Sequence, residues 1–154
     1  MQNFILHTPT KILFGKDQIA EVAGQIPADA RILITYGGGS VKKNGVLDQV
    51  YSALAGRDVR EFSGIEPNPT YETLMKAVEV VKAENIDFLL AVGGGSVVDG
   101  TKFIAAAARY TADGDAWHIL QTVGSHIADA VPMGCVLTLP ATGSESNSGA
   151  VITR

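Results

Sequence analysis

Cysteine and histidine are scarce in this chain, and their scarcity narrows what it can do. A single cysteine, Cys135, excludes any disulfide within the chain. It sits in the apolar run Gly134-Cys135-Val136-Leu137-Thr138-Leu139, where a buried structural thiol is expected rather than a reactive one. The histidines His7, His118 and His126 lie far apart, and no pair has the i, i+4 spacing by which a helix presents two metal ligands. They are expected at the surface or in packing. No Ser/His/Asp arrangement is legible either, so no catalytic or metal-binding residue is assigned. Basic residues are the minority: 12 Lys+Arg face 16 Asp+Glu, a formal charge of −4. Without a basic stripe to release counterions, nucleic acid is not an expected partner. Apolar runs such as Phe88 to Val92 fall far short of a bilayer's thickness, so no membrane partner is expected. The opening Met1-Gln2-Asn3-Phe4-Ile5-Leu6-His7 has no positive start and no long apolar core, so it is not read as a signal peptide, and the cytoplasm is the expected compartment.

What remains is a chain apolar enough to fold. Hydrophobic residues make up 46% and charged residues 18% of the 154 positions, which suits one soluble α/β domain over residues 1–154. Apolar runs with strand character alternate with segments of helical period, the pattern of a mainly parallel, doubly wound sheet. Strands are expected at Lys11 to Phe14, Arg31 to Tyr36, Asp58 to Phe62, Asp87 to Val92 and Gly134 to Leu139. Val41, Val46, Leu47, Val50 and Leu54 mark one helix. Leu74, Ala77, Val78 and Val81 mark another, with Thr70 as its N-cap and Glu72 in its first turn. Pro67 and Pro69 make the segment Gly64 to Pro69 a rigid loop and are expected to hold Asn68 extended. From Tyr110 to Ile127 the period fades, and Asp113-Gly114-Asp115 and Gly124-Ser125 signal turns.

The chain also repeats itself. Ile32 to Val41 (ILITYGGGSV) and Phe88 to Val97 (FLLAVGGGSV) agree at six of ten positions, 56 residues apart. That spacing contains a further βα unit, so the repeat is read as two strand-to-helix turns of one sheet, opening on the same edge.

Glycine between an apolar strand and a helix lets a ligand approach the backbone, and the free amides and dipole of the helix start favour an anion. Val92-Gly93-Gly94-Gly95-Ser96-Val97-Val98-Asp99 fits a pyrophosphate on these grounds; a tight structural turn is the plainer reading. Val98 stands where the G-x-G-x-x-G fingerprint requires glycine, and the Gly-Lys-Ser/Thr ending of a Walker A loop is missing. Asp99 is out of place beside a phosphate; it either points past it toward the nicotinamide ribose or carboxamide, or caps its helix. In the earlier turn, Tyr36-Gly37-Gly38-Gly39-Ser40, glycine replaces the carboxylate that would take the ribose hydroxyls of NAD. Gly38, Gly39 and Ser40, with Lys42 and Lys43 close by, suit the 2′-phosphate of NADP, or else form a structural turn beside solvated lysines. The hydroxyl-rich segment Thr138-Leu139-Pro140-Ala141-Thr142-Gly143-Ser144-Glu145-Ser146 either holds adenine or the diphosphate, or merely closes a loop.

Together, Gly93 to Asp99, Pro67-Asn68-Pro69 and Leu139 to Glu145, with His7-Thr8-Pro9 and Lys11 to Gly15, resemble the iron-containing (group III) alcohol dehydrogenases along essentially the whole chain. Gly37 to Ser40 makes it most similar to the butanol dehydrogenase and broad-range NADPH aldehyde reductase branch. The resemblance implies a Rossmann-like N-terminal domain of the dehydroquinate synthase type that binds NADP(H) across the sheet edge. The diphosphate is then expected on Gly94, Gly95 and Ser96 and the 2′-phosphate at Gly37 to Ser40. Asn68, Asp99, Thr138, Leu139, Thr142 and Ser144 match the family's other cofactor positions. Such enzymes use iron or zinc to polarise an aldehyde while the nicotinamide gives hydride, and their metal ligands belong to a helical second domain not expected here. The resemblance further implies an aldehyde or alcohol substrate, a homodimer, and an excised or proteolytic domain of a longer enzyme that is inactive alone and exposes apolar surface. Glycerol dehydrogenase and dehydroquinate synthase share the fold, and a non-enzymatic nucleotide-binding module is the third alternative.

Overall fold

The computed structural model describes residues 7–112 and 114–154; Met1 to Leu6 of the opening segment, and Asp113 of the expected Asp113-Gly114-Asp115 turn, lie outside the described residues. Four strands, β1 (Arg31–Tyr36), β2 (Asp58–Phe62), β3 (Phe88–Gly94) and β4 (Met133–Leu139), form one sheet in the order β2-β1-β3-β4. Every pairing is parallel. The helices are α1 (Ser40–Lys43), α2 (Val46–Ala53), α3 (Tyr71–Ala83), α4 (Gly95–Ala108) and α5 (His118–Gln121), with short 3-10 helices at Gln18–Gln25 and Ser144–Ser146.

The two central strands are continuous apolar runs because both of their faces are covered. Ile32, Ile34 and Tyr36 of β1 join Phe88, Leu90 and Val92 of β3 under Val41, Leu47, Val50 and Leu54. On the other face Leu33, Leu89 and Ala91 pack with Leu74, Ala77, Val78 and Val81 of α3 and with Val98, Phe103 and Ile104 of α4. One polar link crosses this second layer. The hydroxyls of Thr35 and Thr101 lie 2.6 Å apart, both fully buried, and Thr101 donates onward to the Val97 carbonyl at 2.7 Å. Each is therefore satisfied, as buried hydroxyls must be. Strand β2 keeps charged residues because it is an edge, bonded to β1 alone.

The expected elements hold with a few adjustments, the smallest being that β4 begins one residue early, at Met133. Lys11 to Phe14 is not a strand: Ile12 and Phe14 are 68% and 96% exposed, and the segment is held by Lys11 Nζ on Gln25 Oε1 at 2.6 Å and by Thr10 Oγ1 on the Glu145 carbonyl at 3.1 Å. Alternating apolar residues make a strand only where a ladder partner and a face to bury exist, and among the described residues this segment has neither. The helix expected from Val41 to Leu54 is two, α1 and α2, because Asn44 and Gly45 intervene. Gly45 takes φ 75°, and Asn44 Oδ1 accepts from the Val46 amide at 3.1 Å, the turn chemistry of that dipeptide. Asn68 is not extended but left-handed at φ 58°. Proline at the next position bars the right-handed helical region, and asparagine tolerates the left-handed one better than most residues. Strand β3 starts after Asp87 and runs on through Gly93 and Gly94. Helix α3 begins as expected, with the Thr70 hydroxyl accepting from the Thr73 amide and Glu72 in the first turn. Between Tyr110 and Ile127 only the four-residue α5 forms among the described residues.

Gly93 is fixed by packing. A Cβ there would sit 2.8 Å from Val97 Cγ2 and 3.1 Å from Val97 Cβ, inside contact distance of the first turn of α4. Gly93→Ala should therefore destabilise the domain by about 1–3 kcal/mol, as overpacking generally does. Denaturant unfolding checks it: the midpoint should fall at unchanged slope, and an unshifted midpoint would show that α4 moves away freely.

Candidate functional site at the carboxyl edge of the sheet

The internal repeat becomes geometry in the pairing of β1 with β3. Ile32 faces Phe88, Leu33 faces Leu89 and Tyr36 faces Val92, so the ladder's register is the repeat's own 56-residue offset. Equivalent residues stand side by side, and the two glycine turns leave adjacent strands at one edge. From β1 the chain moves outward to β2 and then back past β1 to β3, so this edge is the topological switch point, where open α/β sheets bind their ligands.

The two turns differ in shape. After β3, Gly94 stays in the sheet opposite Leu139, and the fourteen-residue α4 starts at once at Gly95. No side chain of the described residues caps this helix start, and Gly94, Gly95 and Ser96 are half-exposed. The first-turn amides thus meet an open surface, the condition for holding an anion. After β1 the chain makes a looser turn. A Cβ on Gly37 would lie 3.0 Å from the Ile65 carbonyl, whereas one on Gly38 or Gly39 would meet nothing within 4 Å. Gly39 takes φ 103° and leads into the single turn of α1 at Ser40. The loop after β2 is drawn against this turn, with the Gly64 amide on the Gly37 carbonyl and the Ile65 amide on the Tyr36 carbonyl, both at 3.2 Å. That loop carries the exposed Asn68 to the same edge.

The third candidate segment leans over the second turn. Thr138 and Leu139 end β4, and Leu139 is 68% exposed. Leu139 Cβ lies 3.8 Å from where a Cβ on Gly94 would stand, and Thr142 Oγ1 lies 3.4 Å from the same point on Gly95. Thr142 is open to solvent, whereas Ser144 is buried and its hydroxyl donates to Asp99 Oδ1. Asp99 is therefore not the cap of its helix, the second of its two expected roles. Its Oδ2 accepts from the Val151 amide at 3.0 Å, and it stands in the second turn of α4 rather than at the cap. The charge of Asp99 is offset within its own helix by Lys102 three residues on, whose Nζ lies 3.6 Å from Asp99 Oδ1.

Lys102 is the residue that sequence reasoning misses. Its ammonium donates to the Ser144 carbonyl at 2.8 Å, to the carbonyl and Oδ1 of Asn147 at 3.2 Å each, and to the Gly149 carbonyl. Burial lowers its pKa, against the pull of Asp99. The i, i+3 spacing from Asp99 is the one signal for it, but its acceptors are backbone carbonyls that no sequence pattern reveals. Of the other lysines at the edge, Lys42 turns to Glu61, 3.8 Å away, and over the Tyr36 ring, 5.0 Å from its centre.

The remaining candidates lie apart. His118 and His126 line a concavity of about 420 Å³ with Tyr110, Ala112, Gln121 and Thr122, sharing no residue with the glycine edge. Among the described residues no group of three or more His, Cys, Asp or Glu side chains could hold a metal ion, and no helix is long and apolar enough to cross a membrane. Cys135 is half-buried, and burial pushes its thiol pKa up, as suits a packing role.

A parallel doubly wound sheet with bare glycine turns at its switch point defines a nucleotide-binding type of α/β domain. The sequence profile of the iron-containing alcohol dehydrogenases matches residues 9–154, and the chain belongs to that family. It is 72% identical over its full length to NADPH-dependent aldehyde reductase YqhD of Escherichia coli, covering 40% of that protein. It is 53% identical to probable NADH-dependent butanol dehydrogenase 1 of Bacillus subtilis, again covering all of this chain and 40% of the relative. The crystal structure of E. coli K-12 YqhD superposes with a TM-score of 0.97 at 72% identity, over 99% of this chain and 39% of that one. The chain thus spans about 40% of the length of the relatives it matches.

Replacing Lys102 by methionine removes several charge-assisted hydrogen bonds while keeping the stem. Since such bonds contribute about 1.5–3 kcal/mol each, amide hydrogen exchange over 144–151 should quicken by about tenfold or more. Unchanged exchange would mean that the loop holds itself.

Proposed function

We propose that this chain is the NADP(H)-binding domain of a metal-dependent alcohol dehydrogenase or aldehyde reductase, in which hydride passes between the nicotinamide and a short-chain aldehyde. The observation that carries the reading is the uncapped, half-exposed start of α4 one strand away from an open glycine turn. A dinucleotide needs two such anion sites on one edge, and this edge supplies them side by side. In this reading Gly94, Gly95 and Ser96 take the diphosphate, and Gly37, Gly38, Gly39 and Ser40 take the adenosine 2′-phosphate. Asn68, Thr138, Leu139 and Thr142 border the cofactor. Asp99 and Ser144, already bonded to each other, shape the loop that closes over it.

A bound nicotinamide would supply the hydride; what these residues do is hold its phosphates and fix its register along the edge. The metal, iron or zinc, is a different matter. No described residues fit it, so its ligands and the carbonyl polarisation it provides are assigned outside this chain's described residues. A homodimeric, cytoplasmic enzyme is the fuller form of the proposal. Named relatives use NADPH in one case and NADH in another. The bare first turn favours NADPH here.

Titration of the purified chain with NADPH and NADH, followed by nicotinamide fluorescence, tests the reading. Binding should be weak and tighter for NADPH, with no aldehyde-dependent oxidation of it. A preference for NADH would overturn the reading of the first turn, and turnover by the chain would overturn the placing of the metal.

A further inference from the structure

The carboxyl end of β2 carries a charged cluster that the cofactor reading does not use. Glu61 is the fourth residue of that strand, paired with Ile34 of β1, and the loop beyond it is bonded to Gly37. In nucleotide-binding sheets a free carboxylate in this neighbourhood accepts the ribose hydroxyls and repels a 2′-phosphate. In this chain glycine stands at the usual place of that carboxylate in the first turn, and Glu61, a second carboxylate on the adjoining strand, is occupied. The Tyr51 hydroxyl, from α2, donates to its Oε2 at 2.7 Å, and the Tyr36 hydroxyl donates to the same oxygen at 3.0 Å. Lys42 Nζ stands 3.8 Å from Oε1 and over the Tyr36 ring, so three groups from three elements converge on one side chain. Tyr36 is the residue immediately before the first glycine turn, and Lys42 lies within the helix that follows it. The Tyr51 hydroxyl foremost, with Tyr36 and Lys42, holds the Glu61 carboxyl below the ordinary carboxylate range, so its charge persists and has to be balanced rather than lost.

We infer that Tyr36, Tyr51 and Lys42 form a restraint that turns Glu61 away from the ribose and offsets its charge, and that this restraint sets the preference of the first turn for a 2′-phosphorylated adenosine. Lys42 acts through Glu61 and not as a phosphate ligand. Lys43, its neighbour on the same helix, carries equal charge and has no such partner among the described ion pairs. The inference rests on the NADP reading above. It adds to it the residues that choose between the two coenzymes: Glu61, Tyr36 and Tyr51, none of them expected to touch the cofactor, and Lys42, which the sequence placed near the 2′-phosphate and which here acts through Glu61.

The test uses the intact chain and two probes that differ only in the 2′-phosphate, adenosine 2′,5′-bisphosphate and adenosine 5′-monophosphate, with the affinity ratio as the readout. Lys42→Met should cut the ratio by about threefold or more, the scale of one uncompensated charge near the surface. Lys43→Met should change it less. Tyr51→Phe, at an exposed position, should lower the ratio and strengthen the monophosphate as Glu61 gains freedom to reach the ribose. The decisive variant pairs Lys42→Met with Glu61→Gln: if Lys42 works by offsetting Glu61, the second change restores the ratio. A ratio left unmoved by Lys42→Met and Tyr51→Phe, or a double variant as impaired as Lys42→Met alone, overturns the inference while leaving the NADP reading in place. A parent chain that shows no preference for the bisphosphate removes that reading, and the inference with it.

Discussion

The parallel pairing of β1 with β3 is the constraint on which the rest of this molecule depends. Because their ladder joins residues 56 positions apart, and the sequence repeats at the same spacing, like residues become lateral neighbours. Two strands buried on both faces cannot slip against each other without exposing Ile32, Leu33, Leu89 and Leu90. The register therefore fixes where each glycine turn emerges. Everything proposed for the edge inherits that placement: the start of α4, the open turn before α1, and the loop from β2 pinned to Gly37.

A second feature gives the edge its roof. The segment after β4 has little apolar surface of its own to bury, yet it is drawn over the start of α4. Asp99 and Lys102 achieve this together: the carboxylate takes the Ser144 hydroxyl and the Val151 amide, and the ammonium takes carbonyls from Ser144, Asn147 and Gly149. A half-buried ion pair is only weakly stabilising by itself, because desolvation offsets the attraction. Here each member is also supplied with backbone partners, which turns the pair into a fastening. The same lysine balances the carboxylate's charge within its own helix.

The layered sheet is legible in the sequence because burial on both faces leaves a strong trace: β1 and β2 fall at their expected bounds, and β3 and β4 within two residues of theirs. The repeat announces the shared edge. What escapes the sequence is local backbone choice and long-range polar contact. The prolines around Asn68 suggest an extended residue, but the rule before proline excludes one region and leaves asparagine another. Asn44-Gly45 carries a turn signal outweighed by the apolar period on either side. Lys11 to Phe14 alternates like a strand, but alternation cannot show that a partner exists. Lys102 and Glu61 owe their roles to groups tens of residues away, 42 in the case of Ser144 and 25 in the case of Tyr36. No periodicity encodes such pairs.

Whether bare amides at the β1–β3 edge receive the coenzyme's phosphates is tested most directly, residue by residue, by amide-resolved NMR of the chain titrated with NADPH. The account predicts that the largest shifts fall on the amides of Gly94 to Val97 and of Gly37 to Ser40, with those lining the His118–His126 concavity still. Shifts gathered around that concavity, with the glycine amides unmoved, would contradict it.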